Sequence, residues 1–308
     1  RNFSLLCIEE PEAHLHPQLQ RSVFKKLLGG GDAAQALIVT SHSPTLAAVT
    51  PLRSIIRLKM QEGSTQAYSL ANLPVTSDDL DDVETYLDAT RAELLFARGV
   101  IFVEGDAEEA LVPVFSSAAG HNLDDLGITI CNVAGTNFGP YVKLAEALGM
   151  PYAVITDWDP LDGTKPPLGR KRTIDLWAAM LQVRGKPPLT PAQHMEWNVK
   201  PYPEFATTAA GSGIFLNDQT FEVSVANTPA LLVPLLDILG DQGFGSIRTK
   251  RIANWRAGAA PVDPSQLLAM VADIGKGRLS AKLSKKAVGL GAPKYISDAI
   301  AFVVGRVQ

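Results

Sequence analysis

The chain has 308 residues, of which 46% are hydrophobic and 19% are charged, and its formal net charge is −4. At roughly 100–200 residues per domain, this length predicts about two domains. The composition is that of a globular protein and excludes a disordered one. No run reaches about 18 apolar residues and no signal peptide is visible, so we expect a cytoplasmic protein without a membrane-spanning helix. An acidic balance, taken alone, argues against nucleic-acid binding.

The beginning of the sequence and its two cysteines indicate the protein's context. Residue 1 is Arg and an apolar run follows within a few residues, which suggests a fragment of a longer protein. Cys7 and Cys131 both lie in apolar runs typical of strands. We therefore expect two buried thiols in a reducing compartment rather than a disulfide framework.

The first motif joins paired carboxylates to an apolar strand. Residues 5–8 lead into Glu9-Glu10-Pro11-Glu12-Ala13-His14-Leu15-His16-Pro17, and a second apolar run at 36–40 precedes Ser41-His42-Ser43-Pro44. Together these segments resemble the Walker B strand and switch histidine of ABC-type ATPases, in the subgroup of repair and nuclease ATPases. The resemblance implies that Glu9, usually Asp in that family, helps hold magnesium. It also implies that Glu10 polarises the attacking water and that His42 senses the γ-phosphate of ATP.

The phosphate cradle of such ATPases, Gly-x-x-x-x-Gly-Lys-Ser/Thr, does not occur in the 308 residues. Without its backbone N–H groups we expect the chain to bind ATP poorly, so ATP is a cofactor of the full-length protein only. Residues 1–75 are interpreted as the distal part of an ABC-type ATPase domain. Residues 76–94, which are acidic with helical spacing, are interpreted as a linker helix with Ser77 as its N-cap.

A second group of acids follows two strand-like runs. Residues 99–103 are apolar and end at Glu104-Gly105, and Glu108 falls in the first turn of a predicted helix, with Gly105 supplying unusual backbone angles for the turn. A run at 128–133 predicts the next strand, and a run at 152–156 ends at Asp157-Trp158-Asp159. Alternation along a strand would point Asp157 and Asp159 the same way. Because parallel strands end at one sheet edge, these acids would share a crevice.

Divalent cations would relieve the repulsion between the acids of that crevice. Oxygen ligands suit Mg²⁺ or Mn²⁺. The order of strand, Glu-Gly-x-x-Glu, helix, strand, strand and Asp-x-Asp resembles the Toprim domain of topoisomerases, primases and certain nucleases. With the ATPase-like segment before it, the chain resembles the carboxyl-terminal region of the OLD (overcoming lysogenization defect) nuclease family.

The OLD resemblance implies an α/β fold with three parts. A Toprim-like parallel sheet with flanking helices would occupy residues 95–225, after an ATPase-type strand remnant and before a helical basic module at 226–308. Glu104 and Glu108 would ligate one metal ion, and Asp157 and Asp159 the other or both. The family also places an acid after the third strand. Glu222 is assigned to it, with Asp218 as a rival and Ser224 as support for Glu222.

A lysine is predicted to join these acids. Gly275-Lys276-Gly277-Arg278 resembles a Lys-Gly-Arg motif near the end of OLD-family nucleases, whose lysine is thought to neutralise transition-state charge. The resemblance implies that Lys276 is catalytic, with Lys282 as the alternative.

The net charge of −4 averages two opposite regions. Residues 77–125 hold thirteen acids and two bases, a local charge of −11, whereas residues 246–294 hold ten bases and two acids, a local charge of +8. A further basic loop is expected from Lys165, Arg170, Lys171 and Arg172. Lys and Arg of this kind follow a DNA backbone without regard to sequence, so DNA is the expected partner. A solvated helix face is the alternative for residues 276–286.

Other elements are predicted from the spacing of apolar residues and from the prolines and glycines that interrupt helices and strands. Apolar spacing predicts a helix over 138–148 and tail helices over 228–239, 264–274, 278–288 and 294–304. The Pro- and Gly-rich stretches at 160–172 and 185–212 are expected to be loops that leave the sheet, over the active site.

The predicted function is a Mg²⁺- or Mn²⁺-dependent DNA endonuclease, regulated by the ATPase in the full-length protein. One of two metal ions would lower the pKa of a water and the second would stabilise the leaving 3′ oxygen. Hydrolysis is favoured because four tyrosines lack the signature of a covalent nucleophile: Tyr141, Tyr152, Tyr202 and Tyr295. The alternatives are a non-catalytic Toprim module that binds DNA or mediates recombination, and a metal-dependent phosphatase. A homo-oligomer through the rest of the ATPase region and a helicase-type partner are also expected.

Overall fold

The structure is a computed structural model of the chain, and it describes residues 4–29, 35–61, 63–86, 91–161 and 165–308. The chain divides into two compact units. The first comprises residues 1–97 and 143–150, and the second comprises residues 98–142 and 151–308.

The first unit contains a parallel strand pair and an antiparallel hairpin. The parallel pair is β1 (Ser4–Glu9) with β2 (Gln35–Thr40), and the hairpin is β3 (Ile56–Gln61) with β4 (Ser64–Ser69). Its helices are α1 (Pro17–Gly29), α2 (Pro44–Ala47) and α3 (Ser77–Tyr86), with 3-10 turns at Leu52–Ser54 and Arg91–Leu95. The strands predicted at 5–9 and 36–40 are confirmed. The hairpin was missed, although apolar and polar residues alternate along β3 with the period of two that a strand requires.

Two details of the first unit differ from expectation. Cys7 is exposed whereas Cys131 is buried, because a sheet of two strands is too small to bury both of its faces. The side-chain cap of α3 is Thr76 and not Ser77: the Thr76 Oγ1 accepts a hydrogen bond from the Asp79 N–H at 3.0 Å. Residues 87–90 of the predicted linker helix lie outside the described residues.

The second unit is built on four parallel strands, in the order β6-β5-β7-β8. They are β5 (Gly99–Val103), β6 (Ile128–Asn132), β7 (Tyr152–Thr156) and β8 (Ile214–Leu216). β5 and β7 are buried along their whole length, so they read as continuous apolar runs rather than as alternating ones. The chain places β6 on one side of β5 and β7 on the other. Such a reversal opens a crevice at the carboxyl ends of the strands, where α/β sheets bind ligands.

Helices connect and cover these strands. Between β5 and β8 they are α4 (Asp106–Ala118), α5 (Leu123–Leu126), α6 (Gly139–Ala147), α7 (Leu168–Val183), α8 (Pro191–Val199) and α9 (Tyr202–Gly211). After β8 they are α10 (Phe221–Ala226), α11 (Pro229–Gly240), α12 (Ser246–Arg256), α13 (Pro264–Ile274), α14 (Lys276–Lys286) and α15 (Lys294–Val307).

The tail helices complete the core of the second unit. Apolar residues of α11, α13, α14 and α15 are buried together with the apolar residues of β5 and α4. α15 packs on β5, where a Cβ added to Gly99 would lie 2.9 Å from the Val303 side chain, so only glycine allows this approach. All four predicted tail helices and the helix at 138–148 are confirmed, within a few residues at their ends. α12 was missed because its basic sequence carries little apolar periodicity.

One predicted loop is largely helical and a second contains the start of a helix. The stretch at 185–212 contains α8 and α9, because its prolines lie at or near helix starts, where the missing N–H costs nothing. The stretch at 160–172 contains the start of α7, and residues 162–164 lie outside the described residues. Among the described residues, no helix combines the length and the apolar character needed to cross a membrane.

Candidate metal-dependent active site

The ATPase-like residues of the first unit lie at the carboxyl ends of β1 and β2. The His42 Nε2 is 3.4 Å from the Glu10 Oε1, and both side chains are exposed. Glu9 is the last residue of β1 and is also exposed. Glu12, to which the sequence analysis gave no role, accepts hydrogen bonds from the Ser41 hydroxyl at 2.6 Å and the His42 N–H at 2.8 Å. Glu12 therefore links the loops after β1 and β2.

In the second unit, Glu104 directly follows β5 and is held by donors at the end of β7 and on α7. Its Oε1 accepts hydrogen bonds from the Thr156 hydroxyl, from the Asp157 N–H at 2.9 Å and from the Arg172 Nη1 at 2.7 Å. β5 and β7 are neighbouring parallel strands, so the carboxylate after one meets the backbone after the other. The orientation of Glu104 is thus fixed by the sheet.

Glu108 lies in the first turn of α4 and is only 6% exposed. The reason predicted for Gly105 is wrong, because its φ of −160° is an extended conformation open to any residue. Gly105 is instead the N-cap residue of α4, and an added Cβ would lie 3.8 Å from the Glu108 Oε2. That distance is an ordinary van der Waals contact, so neither the backbone angles nor the available space requires glycine here.

Strand alternation does not explain the placement of the two aspartates, because β7 ends at Thr156. Asp157 is buried at the end of the strand. Asp159 has a φ of +50°, the left-handed conformation, and its carbonyl accepts a hydrogen bond from the Leu168 N–H at 3.2 Å. This turn leads the chain back toward the sheet edge, where the Asp159 Oδ2 is 2.9 Å from the Arg172 Nη2.

The structure brings Glu222, rather than Asp218, to these acids. Glu222 lies in the first turn of α10 and is 3% exposed, whereas Asp218 is exposed in the turn before the helix. The Glu222 Oε1 is 3.0 Å from the Lys276 Nζ. Ser224 does not support Glu222 as expected, because its hydroxyl donates to the Thr220 carbonyl of its own helix at 3.1 Å.

Lys276, rather than Lys282, lies at the acids. It is the first residue of α14, which packs against α4 and so against the helix that carries Glu108. Burial is the largest single influence and lowers the pKa of Lys276, but the charge and hydrogen bond of Glu222, together with the charges of Asp157 and Glu108, outweigh it, so the net shift of the pKa is upward. Lys276 therefore stays charged. We call Glu104, Glu108, Asp157, Asp159 and Glu222 the acid cluster.

Two members of the acid cluster resist ionisation. Burial raises the pKa of Glu108 to about 7, and repulsion from Glu104 and Glu222 adds to this effect. Burial likewise raises the pKa of Asp157 to about 8, with further repulsion from Glu104 and Glu108. These carboxylates lie close enough together to disfavour each other's charge.

Asn217 and Tyr295, which the sequence analysis did not assign to the site, hold Asp157. The Asn217 Nδ2 donates to the Asp157 Oδ1, and its Oδ1 accepts from the Trp158 N–H at 3.1 Å. The Tyr295 hydroxyl is 3.4 Å from the Asn217 Nδ2, and burial raises its pKa well above the usual range. A polar residue directly after β8 could have revealed Asn217. Nothing local marks Tyr295, which lies on α15.

Divalent cations fit the donor chemistry of this cluster. Among the described residues no three His, Cys, Asp or Glu side chains are grouped closely enough to form a ready metal-binding set. Instead, Arg172 contacts one oxygen of Glu104 and one of Asp159, and Lys276 contacts one oxygen of Glu222. The Glu222 Oε2 is buried without a hydrogen-bond partner in the part of the chain that the structure describes. A buried oxygen without a partner, beside carboxylates that repel each other, is what a hard cation would satisfy.

Many of the basic residues expected on a DNA-binding surface pair with acids or aromatic rings of the same chain. Arg170 is buried against Trp158 and Phe205, and Lys171 pairs with Asp175 on its own helix. Arg172 also faces the acid cluster, so two of the four cations expected in the basic loop at 165–172, Arg170 and Arg172, are withdrawn from the surface, whereas Lys171 stays exposed. In the tail, four cations pair with nearby acids: Arg248 with Asp273, Arg256 and Lys286 with Asp237, and Lys294 with Asp298.

The parallel sheet with acids at its carboxyl edge defines a Toprim-type domain. The family described as overcoming lysogenization defect protein-like, TOPRIM domain, matches residues 95–159, and the AAA ATPase domain family matches residues 1–47. The solved C-terminal region of the Burkholderia pseudomallei OLD protein is 33% identical, with a TM-score of 0.60, and the match covers 69% of this chain and 100% of that one. The chain therefore belongs to the OLD family.

Two named relatives are much longer than this chain. The OLD nuclease of Thermus scotoductus is 28% identical over 51% of this chain and 31% of its own length. Endonuclease GajA of Bacillus cereus strain HuB5-5 is 25% identical over 51% of this chain and 26% of its own length. The chain thus spans less than a third of each of these curated relatives.

Proposed function

We propose that this chain carries the catalytic centre of a metal-dependent DNA endonuclease that hydrolyses phosphodiesters. The observation that carries the proposal is the convergence of five carboxylates and Lys276 at the carboxyl edge of a Toprim-type sheet, with the Glu222 Oε2 buried and unpartnered. The relatives named as nucleases support the same reaction class.

The acid cluster would hold the metal ions. Its carboxylates would serve as ligands to two Mg²⁺ or Mn²⁺ ions, which when bound supply an activated water and neutralise charge on the leaving 3′ oxygen. Mg²⁺ and Mn²⁺ are favoured because every candidate ligand is a hard carboxylate oxygen.

The chain's own residues position these ligands and add positive charge. Asn217, backed by the Tyr295 hydroxyl, fixes one oxygen of Asp157. Lys276 keeps its charge because of Glu222, and an ammonium group at this position would stabilise the negative charge that develops on the phosphoryl group.

The ATPase-like residues would regulate cleavage in the full-length protein. Glu9, Glu10 and His42 would contribute to magnesium binding, water polarisation and γ-phosphate sensing there, as the family resemblance implies. A homo-oligomer formed through the rest of the ATPase region and a helicase-type partner belong to the same proposal, as does a cytoplasmic location.

Cleavage of supercoiled plasmid tests the proposal. The chain should nick plasmid with Mg²⁺ or Mn²⁺ and fail to do so with EDTA. Asp157→Asn should lower the rate by about 100-fold or more, because losing a ligand forfeits several kcal/mol of transition-state stabilisation.

Asp218→Asn is the matched control and should cleave like the wild type, since Asp218 is exposed outside the acid cluster. Full activity of Asp157→Asn would contradict the assignment of the site. DNA binding in a gel-shift assay without cleavage under any divalent metal would instead support the non-catalytic alternative.

A further inference from the structure

We propose that Arg172 is a positioning residue of this active site, a guanidinium that sets the orientation of Glu104 and Asp159 before a metal ion binds. The proposal rests on the proposed function, because it concerns the same acid cluster. It assigns a role to a side chain whose sequence context suggested only a solvent-exposed basic loop.

Arg172 bridges the two halves of the acid cluster. Its Nη1 is 2.7 Å from the Glu104 Oε1, and the same nitrogen donates to the Asp157 carbonyl at 3.1 Å. Its Nη2 is 2.9 Å from the Asp159 Oδ2. One guanidinium therefore contacts the acid that follows β5 and the turn that follows β7.

The Arg172 side chain is 10% exposed, so it has little surface left to offer a DNA phosphate. Its contacts take one oxygen from each carboxylate, Oε1 of Glu104 and Oδ2 of Asp159. The guanidinium does not occupy the second oxygen of either acid, which is where we expect a cation to bind. A planar guanidinium can hold two carboxylates at a fixed separation through two nitrogens, whereas a lysine ammonium is a single point of charge.

The backbone fixes where this guanidinium lies. α7 starts against the turn that carries the aspartates, and the Gly169 N–H donates to the Trp158 carbonyl at 2.9 Å. A Cβ added to Gly169 would lie 2.8 Å from the Trp158 Cα and would clash with the Asp157 carbonyl oxygen. Only glycine permits this approach, and Arg172 follows three residues later, about one helical turn away on the same face.

Titration calorimetry of the full chain with MnCl₂ tests the proposal independently of cleavage. Arg172→Gln should bind Mn²⁺ about 10- to 100-fold more weakly than the wild type, the usual cost of losing a residue that orients metal ligands. Arg172→Lys keeps the positive charge but lacks the two-nitrogen guanidinium, so it should recover part of this loss. Lys171→Ala is the matched control and should bind like the wild type, because Lys171 is exposed one position earlier on the same helix.

Mn²⁺ binding by Arg172→Gln as tight as wild type, or tighter, would overturn the positioning role. Tighter binding would show that the guanidinium competes with the metal. If Arg172→Gln does not fold, as judged by circular dichroism, Arg172→Lys provides the test. Mn²⁺ affinity equal to wild type in this variant would show that the two-nitrogen guanidinium is not needed to position the acids. Absence of Mn²⁺ binding by the wild type would overturn the proposed function itself, which keeps the two failures distinct.

Discussion

At the scale of single residues, two buried acids of the acid cluster lower the free energy of unfolding at neutral pH. Glu108 and Asp157 are both buried, and both have a raised pKa because burial and neighbouring carboxylates disfavour their charged forms. A group with a raised pKa in the folded state binds its proton more tightly there than in the unfolded chain. The folded state is therefore favoured at low pH, and this advantage is lost as the pH rises.

Glu108→Gln should remove much of this pH dependence. The pKa of Glu108 is about 7 in the folded chain, against an ordinary value of 4.5, so its contribution to stability is fully present below pH 4.5 and is lost as the pH rises through 7. Relative to wild type, the variant should gain roughly 2–3 kcal/mol in free energy of unfolding between pH 5 and pH 8. Urea denaturation in EDTA at the two pH values measures this gain.

Asp218→Asn, at the exposed acid outside the cluster, is the control and should show no such gain. An equal stability difference between Glu108→Gln and wild type at both pH values would contradict the raised pKa of Glu108.

At the scale of elements, α14 presents two different faces. Lys276, Leu279 and Leu283 lie on the side of the acid cluster and the core, and Leu279 and Leu283 are buried. Arg278, Lys282 and Lys285 are spaced by four and three residues, which places them together on the opposite face. These three cations have no ion-pair partner within the described residues. We therefore expect one face of the helix to serve the acid cluster and the other to contact DNA.

Replacing Arg278, Lys282 and Lys285 with alanine should weaken DNA binding to the same extent for every DNA sequence. Each phosphate contact contributes about 0.9 to the slope of log K against log salt concentration, so the triple variant should lower that slope by about 2–3. Fluorescence anisotropy with a labelled duplex at several salt concentrations measures it. Lys294→Ala, whose lysine pairs with Asp298, is the control. An unchanged slope in the triple variant would show that this face does not contact phosphates.

At the scale of the whole molecule, the acid cluster, Arg172 and Lys276 all belong to the second unit. The Burkholderia pseudomallei structure, which contains only a C-terminal region, matches 69% of this chain over its own entire length. We therefore expect the acid cluster to assemble without the ATPase-like residues.

Residues 95–308 produced alone should fold and keep the site. We expect one cooperative thermal transition by circular dichroism and an Mn²⁺ affinity equal to that of the full chain, because all proposed ligands are retained. Calorimetry on both proteins provides the comparison. Loss of Mn²⁺ binding by a folded 95–308 chain would show that the first unit shapes the metal site.

Much of the fold was readable from local patterns. The apolar runs of β5, β6 and β7 and the spacing of the tail helices depend on burial that repeats with a fixed period, so the sequence displays them directly. α12 and the β3–β4 hairpin were missed at this level, as was the start of α7. The first carries little apolar periodicity, the second was overlooked despite its alternation, and prolines and glycine obscured the third.

The sequence by itself determined the strands β5, β6 and β7 and the acids that follow β5 and β7, because strand and turn propensities act over a few neighbouring residues. Only the tertiary structure decided which polar groups serve those acids. Arg172, Asn217 and Tyr295 come from α7, the end of β8 and α15, and their roles follow from contacts between parts of the chain distant in sequence. The same long-range packing decided that Glu222, and not Asp218, lies at the acid cluster, and that Lys276, and not Lys282, lies there. Which of these residues is buried depends on how the helices meet and not on local spacing.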